Sequence, residues 1–400
     1  MKKRDGRVLI VGAGIGGLTA AIALRRCGAE VTVIERAQAL APVGAGITLQ
    51  PNATAMLVAL GVTLAAEDVL PIGEFALIDA RGRRLIGGAP VEDDAVVPGY
   101  NVRRADLHKA LISTCGDVPV RLGVELVGLE QGAEGVRVRY GDGGEERWDS
   151  VIGADGLHSA VRRAILPASA CAPRYSGQTC WRWQVEAPAL APTSSTERWA
   201  VGRRIGVIPL SRGGIYVYLV ESSPPGTVGP ASARVEGLRR FAASEPRLGA
   251  ILDHVAGDPR VRIHHGDLVD LPIYSSGVGR VVLIGDAGHA MTPNMGQGAG
   301  MAIEDAGALA LLWLEHGASA ALASSLRALR RARVLEIHRQ AWLIGQVAHW
   351  RLGAARLLRD WLLRRISAKA LARSAHAMWA PGRELARRLS VALGSATLDD

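Results

Sequence analysis

The stretch Val8-Leu9-Ile10-Val11-Gly12-Ala13-Gly14-Ile15-Gly16-Gly17 decides the fold of this 400-residue chain. A short apolar run rich in β-branched residues enters a glycine-rich turn, as a buried parallel strand running into a helix does. Leu18, Ile22 and Leu24 then fall among alanines up to Cys27, which suits a helix packed on a sheet, and Val31-Thr32-Val33-Ile34-Glu35-Arg36 supplies a second strand. In such a unit Gly12 permits the tight turn, Gly14 lets backbone approach a pyrophosphate, and Gly17 lets the helix lie close to the strand. Free N–H groups at the helix start then meet the phosphate. Glu35 follows Gly17 by eighteen residues, near the ~20 expected of a carboxylate that accepts from ribose hydroxyls. The stretch therefore predicts dinucleotide binding. Glu35 also speaks against a 2′-phosphate at this point, although Arg36 beside it offsets part of its charge.

The chain is 48% hydrophobic with a formal charge of +9, so it is globular and long enough for two or three domains. Nearly all of its basic residues are arginines. The lysines are Lys2, Lys3, Lys109 and Lys369. The arginines are dispersed until about Arg327, so no nucleic-acid module is expected. Cys27, Cys115, Cys171 and Cys180 form no CxxC or Cys/His cluster, which suggests reduced thiols, a cytoplasmic protein and no metal site. Met1-Lys2-Lys3-Arg4 opens like a signal peptide, but glycines break the apolar run and its continuation completes the βαβ unit. No uncharged apolar stretch approaches the ~18 residues of a membrane-spanning helix.

Along the chain, Pro42 to Leu49 forms a glycine-bearing connection and Pro51-Asn52 opens a short helix that stops at Gly61. Residues 72–86 alternate like paired strands. A helix follows Arg103 with Leu107, Leu111 and Ile112 on one face. Strands are expected over Val124–Leu129, Val136–Tyr140 and Trp148–Ala154. From about Gln178 to Asp270 the texture becomes that of an antiparallel sheet, with Trp181, Trp183, Trp199, Tyr216 and Tyr218 in alternating segments and a helix-like insert near residues 231–254. Arg280 to Asp286 is a buried strand again, and everything after about residue 320 is helical.

Three separated motifs need a joint explanation: Gly12 to Glu35; Gly153-Ala154-Asp155-Gly156 with Ser159 and Arg162; and Gly285-Asp286-Ala287-Gly288-His289, Pro293, Gly296-Gln297-Gly298 and Ile303-Glu304-Asp305-Ala306. At these residues the chain resembles the class A flavoprotein monooxygenases, the para-hydroxybenzoate-hydroxylase-like aromatic hydroxylases, from about residue 7 to 340. The resemblance implies an α/β fold. Its Rossmann-like FAD-binding domain would span 1–176 and 272–340, with an inserted, mainly antiparallel substrate domain over 177–271 and a helical C-terminal region over 341–400. It implies tightly bound, non-covalent FAD held by Gly12, Gly14, Gly17, Glu35, Arg36, Arg104, Asp155, Asp286, Gly296, Gln297, Gly298 and Ala299. In this reading Asp286 meets the ribityl hydroxyls, Arg104 lies over the cofactor, and the helix starting near Gly298 points its N–H groups at the flavin pyrimidine edge. Pro293 lies beside the flavin ring. Taken alone, Asp155 also reads as a helix N-cap, His289 as a structural histidine, Glu304 and Asp305 as surface or packing carboxylates, and Trp181 and Trp183 as core.

The resemblance further implies that NADPH or NADH reduces the flavin, that O2 adds to it, and that a C4a-hydroperoxyflavin hydroxylates an aromatic or heteroaromatic small molecule. Arg204 and Tyr216, on neighbouring strands of the inserted sheet, are the candidate substrate contacts, with solvent exposure as the alternative for Arg204. Asn294 stands where some relatives acting on ureides or purines place an aspartate. An epoxidase acting on a lipophilic isoprenoid or secondary metabolite would use the same flavin chemistry. A flavin-dependent halogenase fits poorly: Trp181-Arg182-Trp183-Gln184-Val185-Glu186 lacks the Ile-Pro ending of the halogenase stretch, and Lys109 sits in the helix after Arg104. A non-enzymatic flavin-binding module is disfavoured because the oxygen-side motif is intact. The protein is expected to be a monomer or homodimer. Beyond residue 345, Trp350, Ala354, Leu357, Leu358, Trp361, Leu362 and Ile366 recur at helical spacing among Arg351, Arg356, Arg359, Arg364, Arg365, Lys369 and Arg373. That stripe either packs on the FAD domain with its arginines solvated, or makes a peripheral membrane or subunit contact.

Overall fold

The computed structural model describes residues 4–40, 46–88, 97–227, 246–258 and 261–394. Its centre is a six-stranded sheet in the order Gly277–Val278, Val281–Leu283, Ser150–Gly153, Arg7–Val11, Glu30–Glu35 and Val120–Leu122. All neighbours are parallel except the first pair. Period-two alternation explains its layers. Val8 and Ile10 face helices Ile15–Arg26 and Gly298–His316, while Leu9 and Val11 face Val136, Val138 and Trp148 of a three-stranded antiparallel sheet. Gly17 has the role expected of it, since a Cβ there would lie 1.9 Å from the Gly12 carbonyl oxygen. The small residues of the first helix let Gly298–His316 approach, and a Cβ on Gly16 would meet that of Ala302 at 3.2 Å.

The second body is a seven-stranded, mainly antiparallel sheet in the order His264–Asp270, Arg174–Glu186, Gly214–Ser222, Arg203–Pro209, Ser195–Ala200, Phe75–Asp79 and Arg84–Gly88. It thus draws its last two strands from well before residue 177, and its longest strand starts at Arg174. Trp181, Trp183, Val185, Ile205, Val207, Ile215, Val217 and Leu219 cover one face and pack on Leu248, Ile251, Leu252 and Val255 of helix Pro246–Gly257. The two tryptophans are core, not substrate contacts. The part of the expected helical insert over 231–245, and residues 42–45 of the glycine-bearing connection, lie outside the described residues. Arg103 joins the two bodies, donating from Nη2 to both carboxylate oxygens of Glu186 (2.9 and 2.8 Å) and from Nη1 to Ser211.

The C-terminal region is helical over Leu322–Ala348, Gly353–Arg364 and Ala368–Leu393. The last helix buries Leu385, Ala386 and Leu389 in the same core as helices Ile15–Arg26 and Gly298–His316. In Gly353–Arg364 the structure reverses the simple packing expectation: Arg359 is buried, while Leu357, Leu358, Trp361 and Leu362 face solvent. Among the described residues no helix is long and apolar enough to cross a membrane.

Glu304 and Asp305 are fully buried, so they are not surface carboxylates. Arg330 reaches Glu304 at 2.6 Å and Asp305 at 2.8 Å. Removing one partner of a buried ion pair strands the other charge, at a cost of about 3–5 kcal/mol. Arg330→Met should therefore lower the denaturant midpoint sharply while leaving secondary structure recognisable by circular dichroism. A midpoint equal to that of the parent protein would show that the network contributes nothing.

Candidate active site

Motif by motif, the backbone builds a cradle at the carboxyl ends of the parallel strands. Gly12 adopts φ +106°, and a Cβ there would lie 2.5 Å from the carbonyl oxygen of Ala154. A Cβ on Gly14, Gly156 or Gly298 would meet nothing within 4 Å, so open ground lies over each of these backbones. Gly14 caps helix Ile15–Arg26 without a side-chain partner, leaving its first N–H groups for an anion. Glu35 lies at the same edge, accepting from the Ala13 and Ala37 N–H groups at 3.0 Å each. Arg36 beside it is exposed.

The second and third motifs are physically one unit. Asp155 accepts from the Ser159 hydroxyl at 2.6 Å and from the Ala160 and Val161 N–H groups at 2.7 and 3.2 Å. The N-cap of the Ala160–Ile165 helix is Ser159, whose hydroxyl accepts from the Arg162 N–H at 2.8 Å, so Asp155 is not the N-cap its isolated reading expected but braces that cap and the first two N–H groups of the helix. Burial raises its pKa against these hydrogen bonds. Arg162, from the same helix, donates to the carbonyls of Ala287 and Gly288 at 3.1 and 3.0 Å and to those of Ala170 and Ile273. It holds the turn that carries Asp286.

Asp286 and Arg104 reach water, yet protein surrounds both. Side chains inside a cleft have this combination. Burial raises the Asp286 pKa while the charges of His289 and Arg104 lower it. Burial depresses that of Arg104, with Asp286 acting in the opposite sense and Arg182 in the same one. Asp286 and Arg104 thus lie within electrostatic reach of each other, and Arg182 of the large sheet lies within reach of Arg104. Open backbone over three glycines, an acceptor at Glu35 and a solvent-accessible carboxylate at Asp286 together fit an adenine dinucleotide with a hydroxylated linker.

Beyond Asp286 the chain forms a single 3₁₀ turn, Pro293–Met295, in which Pro293 is exposed, and Gly296 closes it at φ +63°. Helix Gly298–His316 then begins with no side-chain cap, so the N–H groups at Gly298 and Ala299 are available. The Gln297 side chain points elsewhere. Its Oε1 accepts from Asn52 Nδ2 at 3.0 Å, and that amide also donates to Glu304 at 2.6 Å. Only the backbone of Gln297 faces the cradle. His289 donates from Nε2 to Asp305 at 2.5 Å and is buried, which gives it the structural role.

The polar face of the seven-stranded sheet looks toward this turn. Arg182, Gln184, Tyr216, Tyr218, Arg204 and Glu197 share it through the ladder pairs Arg182↔Tyr218, Gln184↔Tyr216, Gly206↔Tyr218 and Glu197↔Gly206. Arg204 is 2% exposed, so the solvent-facing alternative is ruled out. Its guanidinium donates to Glu197 at 3.4 Å and to the Asn294 side-chain oxygen. Tyr216 does not meet it. Their ladder positions, Ile208↔Tyr216 and Arg204↔Val220, stand four residues apart, about 13 Å along a strand. Tyr218 lies between them. Its ring crosses Gly206, where a Cβ would come within 2.0 Å of it, and its hydroxyl donates to Glu197.

Glu197, Tyr218 and Arg182 were not singled out as site residues from the sequence; the alternation was there to show Arg182 and Tyr218, each one residue from the apolar series that buries the tryptophans, whereas Glu197 stands between Thr196 and Arg198 and carries no such signal. Asn294, flagged as a departure, has a physical reason. Its Nδ2 donates to Thr292 Oγ1 at 3.0 Å and to the Ala341 carbonyl at 2.8 Å, while its Oδ1 accepts from Arg204. An aspartate would set an anion against that carbonyl.

An FAD-binding-domain family model matches residues 5–182 and 273–339. Over 366 residues the chain is 38% identical to the aurachin C monooxygenase/isomerase of Stigmatella aurantiaca, covering 90% of this chain and 94% of the relative. It is 35% identical over 368 residues to the 2-heptyl-3-hydroxy-4(1H)-quinolone synthase of Pseudomonas aeruginosa, covering 89% and 93%. Among solved structures, Klebsiella pneumoniae HpxO complexed with FAD and uric acid superposes with a TM-score of 0.84 at 28% identity, covering 94% of this chain and 97% of that one.

Asn294→Asp should destabilise the Pro293 turn by about 1 kcal/mol, the lower end of the penalty for a polar group left facing a like partner because the site is only part-buried. Differential scanning calorimetry checks this, and an unchanged or raised melting temperature would refute the donor role of the amide.

Proposed function

The chain belongs to the class A FAD-dependent monooxygenases, and on that premise we propose that it hydroxylates a neutral, nitrogen-containing bicyclic aromatic ring bearing an apolar substituent. That it is an FAD-dependent hydroxylase using O2 on a small aromatic molecule follows from the matched family and relatives, with NAD(P)H as the co-substrate typical of that family.

The observation that carries the substrate class is the pairing of Arg204 with Glu197. A free arginine on that wall would select an anionic ring. Here the carboxylate already balances that arginine, so the Arg204 end of the wall offers hydrogen bonds without net charge, while Arg182 stands exposed nearer the cofactor side. Tyr216 and Tyr218, with ring centroids 5.7 Å apart, add aromatic surface. Burial pushes the pKa of both hydroxyls up, so each remains a neutral donor. Two relatives are named for aurachin C and for a heptyl-bearing quinolone, and the second of these is a ring of this class.

In this reading Gly12, Gly14 and Gly17 with Glu35 and Arg36 hold the ADP half of FAD. Asp286 accepts from the ribityl hydroxyls. Arg104 covers the cofactor from the sheet side, and Asp155 shapes the approach through the helix start that it braces. The backbone of Gly296, Gln297, Gly298 and Ala299 supplies donors at the pyrimidine edge, where a helix N-terminus favours negative charge. When bound, FAD supplies both the electrons taken from NAD(P)H and the activation of O2. The protein positions the ring and excludes water. Pro293 presents an apolar, uncharged surface beside the reacting edge, and Arg204 and Tyr216 mark the two ends of the substrate wall.

The domain division is 1–176 with 272–340 for FAD and 177–271 for substrate, the latter completed by the strands of residues 75–88, with 341–400 as the helical C-terminal region. The four free cysteines support a cytoplasmic setting. The chain acts as a monomer or homodimer, and its C-terminal helices touch a membrane peripherally.

Purified protein should be yellow, and Glu35→Ala should weaken FAD retention roughly 10- to 100-fold, as loss of hydrogen bonds to a charged group does. Flavin release on ultrafiltration reads this, and a chain that stays colourless with excess FAD would sink the assignment. In a panel of alkylquinolones, salicylate and urate, the neutral alkylquinolones should stimulate NAD(P)H oxidation and gain one oxygen by mass. Stimulation by the anionic rings alone would overturn the substrate class, and an epoxide product would favour the isoprenoid-type alternative. Arg204→Ala should raise KM or lower ring oxygenation at unchanged flavin content.

A further inference from the structure

We propose that helix Gly353–Arg364 is a docking element for an anionic membrane surface. An ordinary surface helix buries its apolar stripe and exposes its charges; this one does the opposite. Leu357 is 70% exposed, Leu358 57%, Trp361 49% and Leu362 52%, and Leu352 and Ile366 extend the face at either end. The inward side is anchored by Arg359, which is 5% exposed, donates to the Val347 and Ala348 carbonyls at 3.1 Å each and stacks on Trp199 at 5.0 Å. Leu363 packs against Leu77 and Leu85. This anchoring holds the leucines outward.

The surrounding charge names the occupant. Between Glu336 and Glu384 the sole acidic residue is Asp360, and it is paired with Arg359. Arg351, Arg365, Lys369 and Arg373 ring the apolar face and are exposed, and Arg364 beside them pairs with Asp79 at 3.3 Å. Arg365 lies over the Trp361 ring at 4.2 Å, which places a cation and an amphipathic ring together at one level. An apolar stripe bordered by arginines, with tryptophan at its edge, suits the boundary between headgroups and acyl chains. A second copy suits it less, because a two-fold contact would bring like charges together across the interface. At twelve residues the helix lies on a bilayer and does not span it.

The site lies close to the substrate wall. Arg359 touches Trp199, whose indole donates to Glu197 at 2.6 Å, and Glu197 holds Arg204 and Tyr218. Docking through this helix would bring the substrate sheet to the bilayer where a lipophilic ring partitions. That benefit rests on the substrate reading above; the docking itself does not.

The test is co-sedimentation of the FAD-loaded full-length enzyme with vesicles of phosphatidylglycerol and phosphatidylcholine, beside pure phosphatidylcholine. Binding to the anionic vesicles alone, weakened at least tenfold by 0.5 M salt (roughly half of the screening length at physiological strength would remain), is expected. Leu358→Glu/Leu362→Glu should abolish it with flavin content and melting temperature unchanged, and Arg365→Glu/Lys369→Glu should reproduce the salt effect. No binding at low salt overturns the proposal. So does a dimer by analytical ultracentrifugation that Leu358→Glu/Leu362→Glu dissociates while vesicle binding is absent. Because no substrate is used, a failed substrate panel leaves this result standing, and failed docking leaves the panel standing.

Discussion

The carboxylate of Asp305 is the point on which the cofactor side of the structure depends. It accepts from the Gly285 N–H at 3.0 Å, from Arg330 Nε at 2.8 Å, and bonds His289 Nε2 at 2.5 Å. Burial alone would raise its pKa, yet the charges of His289 and Arg330 with these hydrogen bonds hold it down to about 2. One fully buried anion thus ties the end of a central strand, the turn that presents Asp286, the helix that begins at Gly298 and the long helix of residues 322–348. Gly285 is held at φ +55°, with its missing Cβ leaving room for Ala302. The direction in which Asp286 points follows from that conformation.

A second constraint governs the substrate side. The seven-stranded sheet has one face sealed by a helix and one left polar, and the strict two-residue period distributes its residues between them. Gly206 lets the Tyr218 ring lie across a strand, which brings its hydroxyl to Glu197 and sets the electrostatics of Arg204. The cofactor cradle and substrate wall then meet through Asn294, whose amide bonds the sheet on one side and the long helix on the other. The turn carrying Pro293 is therefore braced from both bodies of the protein.

The C-terminal segment illustrates how composition underdetermines orientation. Its stripe of leucines and tryptophans and its arginines were evident at helical spacing. Which side faces inward was not, because an arginine can satisfy its charge on carbonyls and an aromatic ring as well as in water. Arg359 does so on Val347, Ala348 and Trp199, and that choice leaves the leucines outside.

The sequence by itself determined the dinucleotide unit, the three-motif signature and the helical C-terminus. These are local: a glycine whose Cβ would strike a neighbouring carbonyl, a carboxylate at a set distance along the chain, and a hydrophobic period all act over a few residues or one supersecondary unit. It also contained, in the alternation around Trp181 and Tyr216, the two faces of the sheet. Tertiary structure alone decided that residues 75–88 join that sheet, that Arg204 pairs with Glu197 and Asn294, that Tyr216 stands apart from Arg204, and that the Gln297 side chain turns away from the cradle. Each of these depends on contacts between segments up to a hundred or more residues apart. The deciding terms there are burial and the pairing of charge, which no local spacing records.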